Sequence, residues 1–419
     1  MYFIVTHKHF VDKAVFKCYS QTEYAVFRFL RGEIMNKMSL SARCSAMFAL
    51  YYRVFYPAFI MFSSYMVLSG FEADFVAKMM TLYGAALIVV KPVFAAFNDR
   101  GHCRAIVFFL GAVLLFGTAF FFGSRQKTVL HAVVYAVAVS AVSCVIVETI
   151  DSWTLKLSAV YPEIEYSKVR ACGSLSFAVI GLVFGTALAK FGLIAAPVAI
   201  VIFLFGFLLF AASLPDPKAE SAEEKTSFFE GIKEILADRK ILRFIIFYRV
   251  GASLIDMTDI YIGVTILEKG GTTAYTGLHD FLKALIEFFV MFAVAKLISR
   301  HGTLKIMCIG MVGIFIKTAA RALAPTPSLV VATCVTQAIS FPLIVGSKME
   351  YIKTNAPKGH IALVVSAAGI AYSLVNTLII NPLMALLIPQ MKTRGAMLVM
   401  SVFGLVAAIG LWATQREKA

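Results

Sequence analysis

Glu148, Asp151 and Arg170 interrupt two consecutive apolar segments, and their types allow an ion pair or a polar solute site. A guanidinium at membrane depth costs about 2.5–3.5 kcal/mol on insertion scales, so it needs an acid partner, a wet cavity or a route to the interface by snorkelling. Glu148 and Asp151 are one helical turn apart on the segment preceding Arg170. Behind Arg170, Gly173, Phe177 and Gly181 follow at three- and four-residue steps, on one stripe of a helix. Gly181 and Gly185 repeat the small-xxx-small spacing of helix contacts inside lipid, so this stripe faces protein or a cavity.

Glu287 lies mid-segment in L-K-A-L-I-E-F-F-V-M-F, one turn after Lys283. Apolar surroundings disfavour its anion and a nearby ammonium favours it, so the group could exchange a proton as its surroundings alternate. The competing reading is a static Lys283–Glu287 ion pair. Arg249, Asp256 and Asp259 fall at seven- and three-residue steps and share one face, where Lys317 or Lys283 would partner the aspartates. Arg53 sits among Tyr51, Tyr52, Phe55 and Tyr56, as a contact for an anionic or aromatic solute or as a structural cation–π pair. Lys91, Lys296, Lys348 and Glu350 fall near segment ends and are expected to snorkel.

These charges need elements that cross a bilayer. Of 419 residues 60% are hydrophobic and 15% charged, against about a quarter charged in soluble domains. With a mean hydropathy of +0.83, this is a polytopic membrane protein. The net charge of +15 does not indicate a nucleic-acid partner, because the basic residues fall mainly between apolar segments and orient them. Seven scattered cysteines form no disulfide or metal spacing, and the histidines, including His102, His279, His301 and His360, sit mainly in expected loops and tails as solvated groups. No Walker loop, dinucleotide fingerprint or H-E-x-x-H occurs, so no enzyme activity, cofactor or metal is expected.

Twelve spans of roughly the ~20 residues a crossing helix requires are expected at 43–69, 75–97, 104–123, 129–153, 169–190, 193–214, 242–266, 277–299, 304–323, 328–352, 360–388 and 394–414. A polar linker at 215–241 divides them into six-helix bundles at 43–214 and 242–414, with tails at 1–42 and 415–419. An even count puts both tails and the linker on one side. Loops on that side hold Arg100, Arg104, Lys156, Lys168, Arg239, Lys240, Arg300, Lys305, Lys353 and Lys358, which makes it the cytoplasm. The tail at 1–42 is basic and lacks a run long enough for a span or signal peptide. N-D-R-G-H-C-R at 98–104 and S-R-H-G-T-L-K at 299–305 are basic glycine turns at matching places in the halves, the trace of a parallel repeat.

This pattern resembles the major facilitator superfamily: all-α, twelve transmembrane helices in two six-helix bundles. K-P-V-F-A-A-F-N-D-R-G-H-C-R at 91–104 resembles its loop motif, which implies that Asp99, Arg100 and Arg104 are gating residues. V-E-T-I-D-S-W-T-L at 147–155 with Y-S-K-V-R-A-C-G-S-L-S-F at 166–177 is similar to the oligosaccharide:proton symporter branch, with its lactose, phenylpropionate and nucleoside permeases. That resemblance implies substrate contacts at Glu148, Asp151, Arg170 and Phe177 and a coupling Glu at position 287, Glu287; the charges read by themselves add Arg53 as a solute contact and Asp256 and Lys283 as proton-coupling candidates. T-Q-A-I-S-F-P-L at 336–343 lacks the branch's coupling His and Glu, which argues against a galactoside.

The expected function is proton-gradient-driven symport of a small organic solute (a sugar, nucleoside or aromatic acid) by alternating access. The expected setting is a monomer in the lipid bilayer of a bacterial cytoplasmic membrane, both termini inside. The alternatives are a drug or metabolite efflux antiporter on the same fold and a polytopic membrane sensor that does not transport. An enzyme would need its reactive groups clustered at one membrane face, whereas these charges are spread over many spans.

Overall fold

The structure is a computed structural model that describes residues 38–99, 102–216, 238–355 and 361–416. Most of the expected linker, most of the first tail, Arg100 and residues 417–419 lie outside the described residues. The regular structure there is entirely helical. Helices α1 (Leu40–Leu68), α2 (Ala73–Asp99), α3 (Cys103–Gly123), α4 (129–160), α5 (Tyr166–Phe191) and α6 (Ala195–Ser213) form the first half. Helices α7 (239–268), α8 (Thr273–His301), α9 (Thr303–Leu323), α10 (327–355), α11 (361–391) and α12 (393–416) form the second. Among the described residues seven stretches are long and apolar enough to cross a membrane, or eight if α7 is one span bent by 44°. Two of the seven run through a turn and hold two helices each, α5 with α6 and α11 with α12.

Odd-numbered helices leave the end of the molecule where Leu40 begins, and even-numbered helices return to it. We call this the near end and the opposite one the far end. The far-end turns are built alike in both halves: Gly70 follows α1 with φ +89° and Gly270 follows α7 with φ +78°, a backbone region that side chains rarely enter. Of the matching near-end turns, Gly302 has φ +85°, while Gly101 lies outside the described residues.

Several helices break their regular pitch beside the centre. Pro57 lacks an N–H, and α1 widens to a π-turn over Tyr56–Ile60. Tyr65 and Tyr135 hydroxyls donate to the freed carbonyls of Pro57 and Ala58 at 2.6 and 3.0 Å. In α4 the π-turn Ala141–Ile146 is steadied by Tyr51, whose hydroxyl donates to the Ser143 carbonyl at 2.8 Å.

The halves meet from the midplane outward to the far end. Gly277 of α8 rests against the carbonyl of Gly181 and against Gly185, so a Cβ at 277 would stand 3.0 Å from the Gly185 Cα. Thr273 donates to the Gly185 carbonyl at 3.0 Å, Gly263 lies over Ser64, and Gly84 lies against Thr377. The small-residue stripe of α5 thus faces protein, as its spacing predicts: Gly173 and Gly181 make room for the rings of Tyr52 and Tyr56, and Gly185 admits the backbone of α8.

Candidate functional site

Between the halves lies a cavity of about 1110 Å³. Its walls run from the midplane toward the near end, as far as Ala171 of α5 and Met291 of α8. The first half contributes Tyr52, Phe55, Phe59, Tyr83 and Phe177, an aromatic wall. All the charged residues that line it, Asp256, Asp259, Asp280, Lys283 and Glu287, come from α7 and α8.

Arg170 pairs with Asp151 through Nε at 3.6 Å, and the Tyr166 hydroxyl donates to the same carboxylate oxygen at 3.0 Å. The guanidinium lies 4.8 Å from the ring centre of Tyr52, within cation–π range. Spans four and five therefore bring unlike charges together, but one layer behind the cavity, with Tyr52 in front. Glu148 does not join them: it binds the Lys91 ammonium at 2.7 Å. Lys91 thus faces an acid on α4 rather than snorkelling, and the neighbouring carboxylates of Glu148 and Asp151 are each taken by a cation from a different helix. Phe177 reaches the cavity and packs edge-on against Tyr56 at 5.3 Å between ring centres. Arg53 is not among the residues lining the cavity; its Nε donates to Ser176 at 3.0 Å and its guanidinium lies 5.9 Å from the Phe203 ring.

In the second half Asp259 is the hub. Its carboxylate holds Lys283 at 3.0 Å, Lys317 at 3.1 Å and Arg321 at 3.0 Å, joining α7, α8 and α9. Burying cations in a membrane protein is costly unless each finds an anion, as these three do at Asp259; Arg321 also donates to the Thr258 carbonyl at 2.8 Å. Asp256 is not among the carboxylates within ion-pair distance of these cations; it lines the cavity, as Tyr372 does. Lys283 also reaches Asp280 at 3.5 Å, so the expected Lys283–Glu287 pair is replaced by two aspartates. The partner of Glu287 is neutral: the Gln337 amide donates to it at 3.2 Å.

The sequence reading missed Asp280, Arg321 and Tyr56 and placed His279 in solvent. His279 is fully buried. Its Nε2 meets Arg321 Nη2 at 2.9 Å, and because a guanidinium only donates, Nε2 accepts and the proton sits on Nδ1, aimed at Asp280 at 3.1 Å. The available signal was spacing: 276, 279, 280, 283 and 287 form one stripe of α8, which is polar where a lipid-facing stripe would be apolar.

Of the residues expected to gate, Arg104 donates to the carbonyl of Leu214 and, from its backbone, to Asp216 at 3.1 Å, fastening α3 to the chain leaving α6. Asp99 closes α2, and its side chain lies outside what is described, as does Arg100.

Residues 42–378 match the family described as MFS_1 like family. The chain belongs to that family. It is a multi-pass membrane transporter of the major facilitator type, and solved structures agree on the fold. The nucleoside transporter NupG superposes with a TM-score of 0.76 at 13% identity, over 90% of this chain and 99% of that one. The POT family transporter PepTSo gives 0.67 at 13%, over 90% and 98%. A bacterial homologue of the human lysosomal transporter Spinster gives 0.64 at 14%, over 90% and 96%. No curated protein sequence matches the chain. In this family member both halves contribute rings to the cavity, whereas the charged residues that line it come from the second half.

Proposed function

We propose that this transporter is a proton-coupled symporter that imports a small solute bearing a flat ring and several hydrogen-bonding groups. The reading is carried by the surroundings of Glu287. It lines the cavity with a neutral amide as its partner, while the cations near it are held by Asp259 and Asp280. A carboxyl whose direct partner is a neutral amide, and whose nearest cation is already held by two aspartates, is less firmly fixed in one ionisation state, which is what a group loaded and unloaded by alternating access requires. Opposite it, Tyr52 and Phe177 offer faces and edges to a ring, and Arg170 and Asp151 position Tyr52 from behind.

The solute's polar groups would meet Gln337, Tyr372, Asn376 and Asn381. Sugars, nucleosides and aromatic acids fit these two walls, and the nucleoside transporter of like fold makes nucleosides the first class to try. With basic loops marking the near end as cytoplasmic, the cavity is open inward, and both described ends of the chain face the cytoplasm of a bacterial inner membrane.

The test uses proteoliposomes. Uridine, lactose and phenylpropionate are first screened by thermal shift, since a ligand of the folded form raises its apparent stability. For the compound that binds, Glu287→Gln should abolish accumulation driven by a proton gradient and leave counterflow exchange intact. Accumulation that survives with its pH dependence unchanged would remove Glu287 from coupling.

A further inference from the structure

Tyr56 is fully buried, and its hydroxyl donates to Asp280 Oδ2 at 2.9 Å. This bond joins α1 of the first half to α8 of the second. The other partners of Asp280 are its own neighbours: His279 at 3.1 Å and Lys283 at 3.5 Å, both on α8. Those two move with Asp280 whatever the halves do, whereas Tyr56 moves with the first half. Tyr56 is held in place by that half: Phe177 packs on its ring at 5.3 Å, Phe184 lies at 6.4 Å, and a Cβ on Gly181 would stand 3.2 Å from it. Tyr56 opens the π-turn and Pro57 follows it, so the tyrosine sits where α1 departs from regular pitch.

We infer that the Tyr56 hydroxyl on Asp280 is a latch that holds the halves together on the far side of the cavity. Alternating access separates the halves there, and this bond has to break when they part. Breaking it leaves a carboxylate of the second half short of one donor and a tyrosine hydroxyl of the first half unpaired, so the bond favours the state in which the far end is shut. The Gly277 contact with Gly181 and Gly185 lies beside it, between α5 and α8, and supplies shape; Tyr56 and Asp280 supply the polar bond between α1 and α8. Asp280 and Tyr56 are thus positioning residues for the access change, independent of which solute is carried and of whether protons drive it.

The reporter is Ser64→Cys, placed in a background whose native cysteines are replaced by serine. Ser64 is fully buried beneath Gly263 at the far-end seam, so it becomes reactive when that end opens. The rate of labelling by fluorescein maleimide is read on purified full-length protein. Tyr56→Phe should raise it about 10-fold, the factor expected when a hydrogen bond to a charged group is lost. Tyr65→Phe is the control, since that hydroxyl is equally buried but donates within its own helix at 2.6 Å. It should leave the rate within about twofold of the parent. Asp280→Asn should act in the same direction as Tyr56→Phe. A Tyr56→Phe rate equal to the parent's, an equal rise in Tyr65→Phe, or unfolding of both latch variants would each overturn the inference.

Discussion

Asp259 on α7 and Arg321 on α9 meet at 3.0 Å in the second half, with the arginine fully buried and the same carboxylate also holding Lys283 and Lys317. One anion thus holds three cations from two other helices.

Removing that anion should be severe. Asp259→Asn leaves the three cations facing a neutral amide, and breaking a buried pair in this way costs about 3–5 kcal/mol. The expected result is a large drop in the thermal midpoint of the detergent-solubilised protein. Adding Lys317→Met to the variant should restore part of it, because one uncompensated cation is then gone. A midpoint unchanged by Asp259→Asn would show that the cluster is not the joint it looks like.

The Arg170–Asp151 pair should act on transport more than on stability. Its side chains are 32% and 30% exposed, so solvent screens the pair and its loss should cost under about 1 kcal/mol. Arg170→Lys keeps the charge but loses the planar stack on Tyr52, and the expected outcome is a raised KM for uptake with the thermal midpoint nearly unchanged. Glu148→Gln, which breaks only the pair with Lys91, should alter KM less than Arg170→Lys does.

Gly277 should tolerate no side chain in the shut state. In Gly277→Val the branched chain meets the carbonyl of Gly181 and the Cα of Gly185, so α5 and α8 are forced apart at the far end. Maleimide labelling of a far-end cysteine should rise, as it should on release of the latch. Gly369, with open space around its Cβ position, serves as the comparison: Gly369→Ala should leave labelling unchanged.

Asp216, in the loop beyond α6, gives a pH prediction with a definite sign. Burial lifts its carboxyl above the ordinary 3.8, against the opposing pull of Arg104 and of the backbone bond from the same residue. The fold therefore binds this proton more tightly than the unfolded chain does. Stability falls as pH rises from 3.8 through the raised value and is free of the penalty below 3.8. Asp216→Asn should be the more stable form above that window and equal to the parent below it, in thermal midpoints taken from acid to neutral pH.

Much of this molecule is legible in one dimension. Hydropathy and the length of apolar runs locate the helices, because a helix that crosses hydrocarbon must satisfy its own backbone over about 20 residues. The glycine stripe of α5 reads as a contact surface, since only a small residue lets a ring or a backbone come that close. That Arg170 needs an acid, and that Asp259 needs Lys283 or Lys317, also follows from the cost of an unpaired charge in lipid.

Which acid takes which cation does not follow, because pairing depends on how helices distant in sequence are rotated about their axes. Glu148 and Asp151 are one turn apart and face different helices, so one binds Lys91 and the other Arg170. Lys283 lies a turn from Glu287, yet the packing of α7 against α8 brings Asp259 closer. His279 reads as a solvated group near the start of its span only until Arg321, 42 positions away, comes to lie against its ring. Sequence alone determined that this chain spans a membrane many times and that its charges had to be paired; the tertiary structure decided the partners, because hydrophobicity is a property of each residue and proximity is a property of the fold.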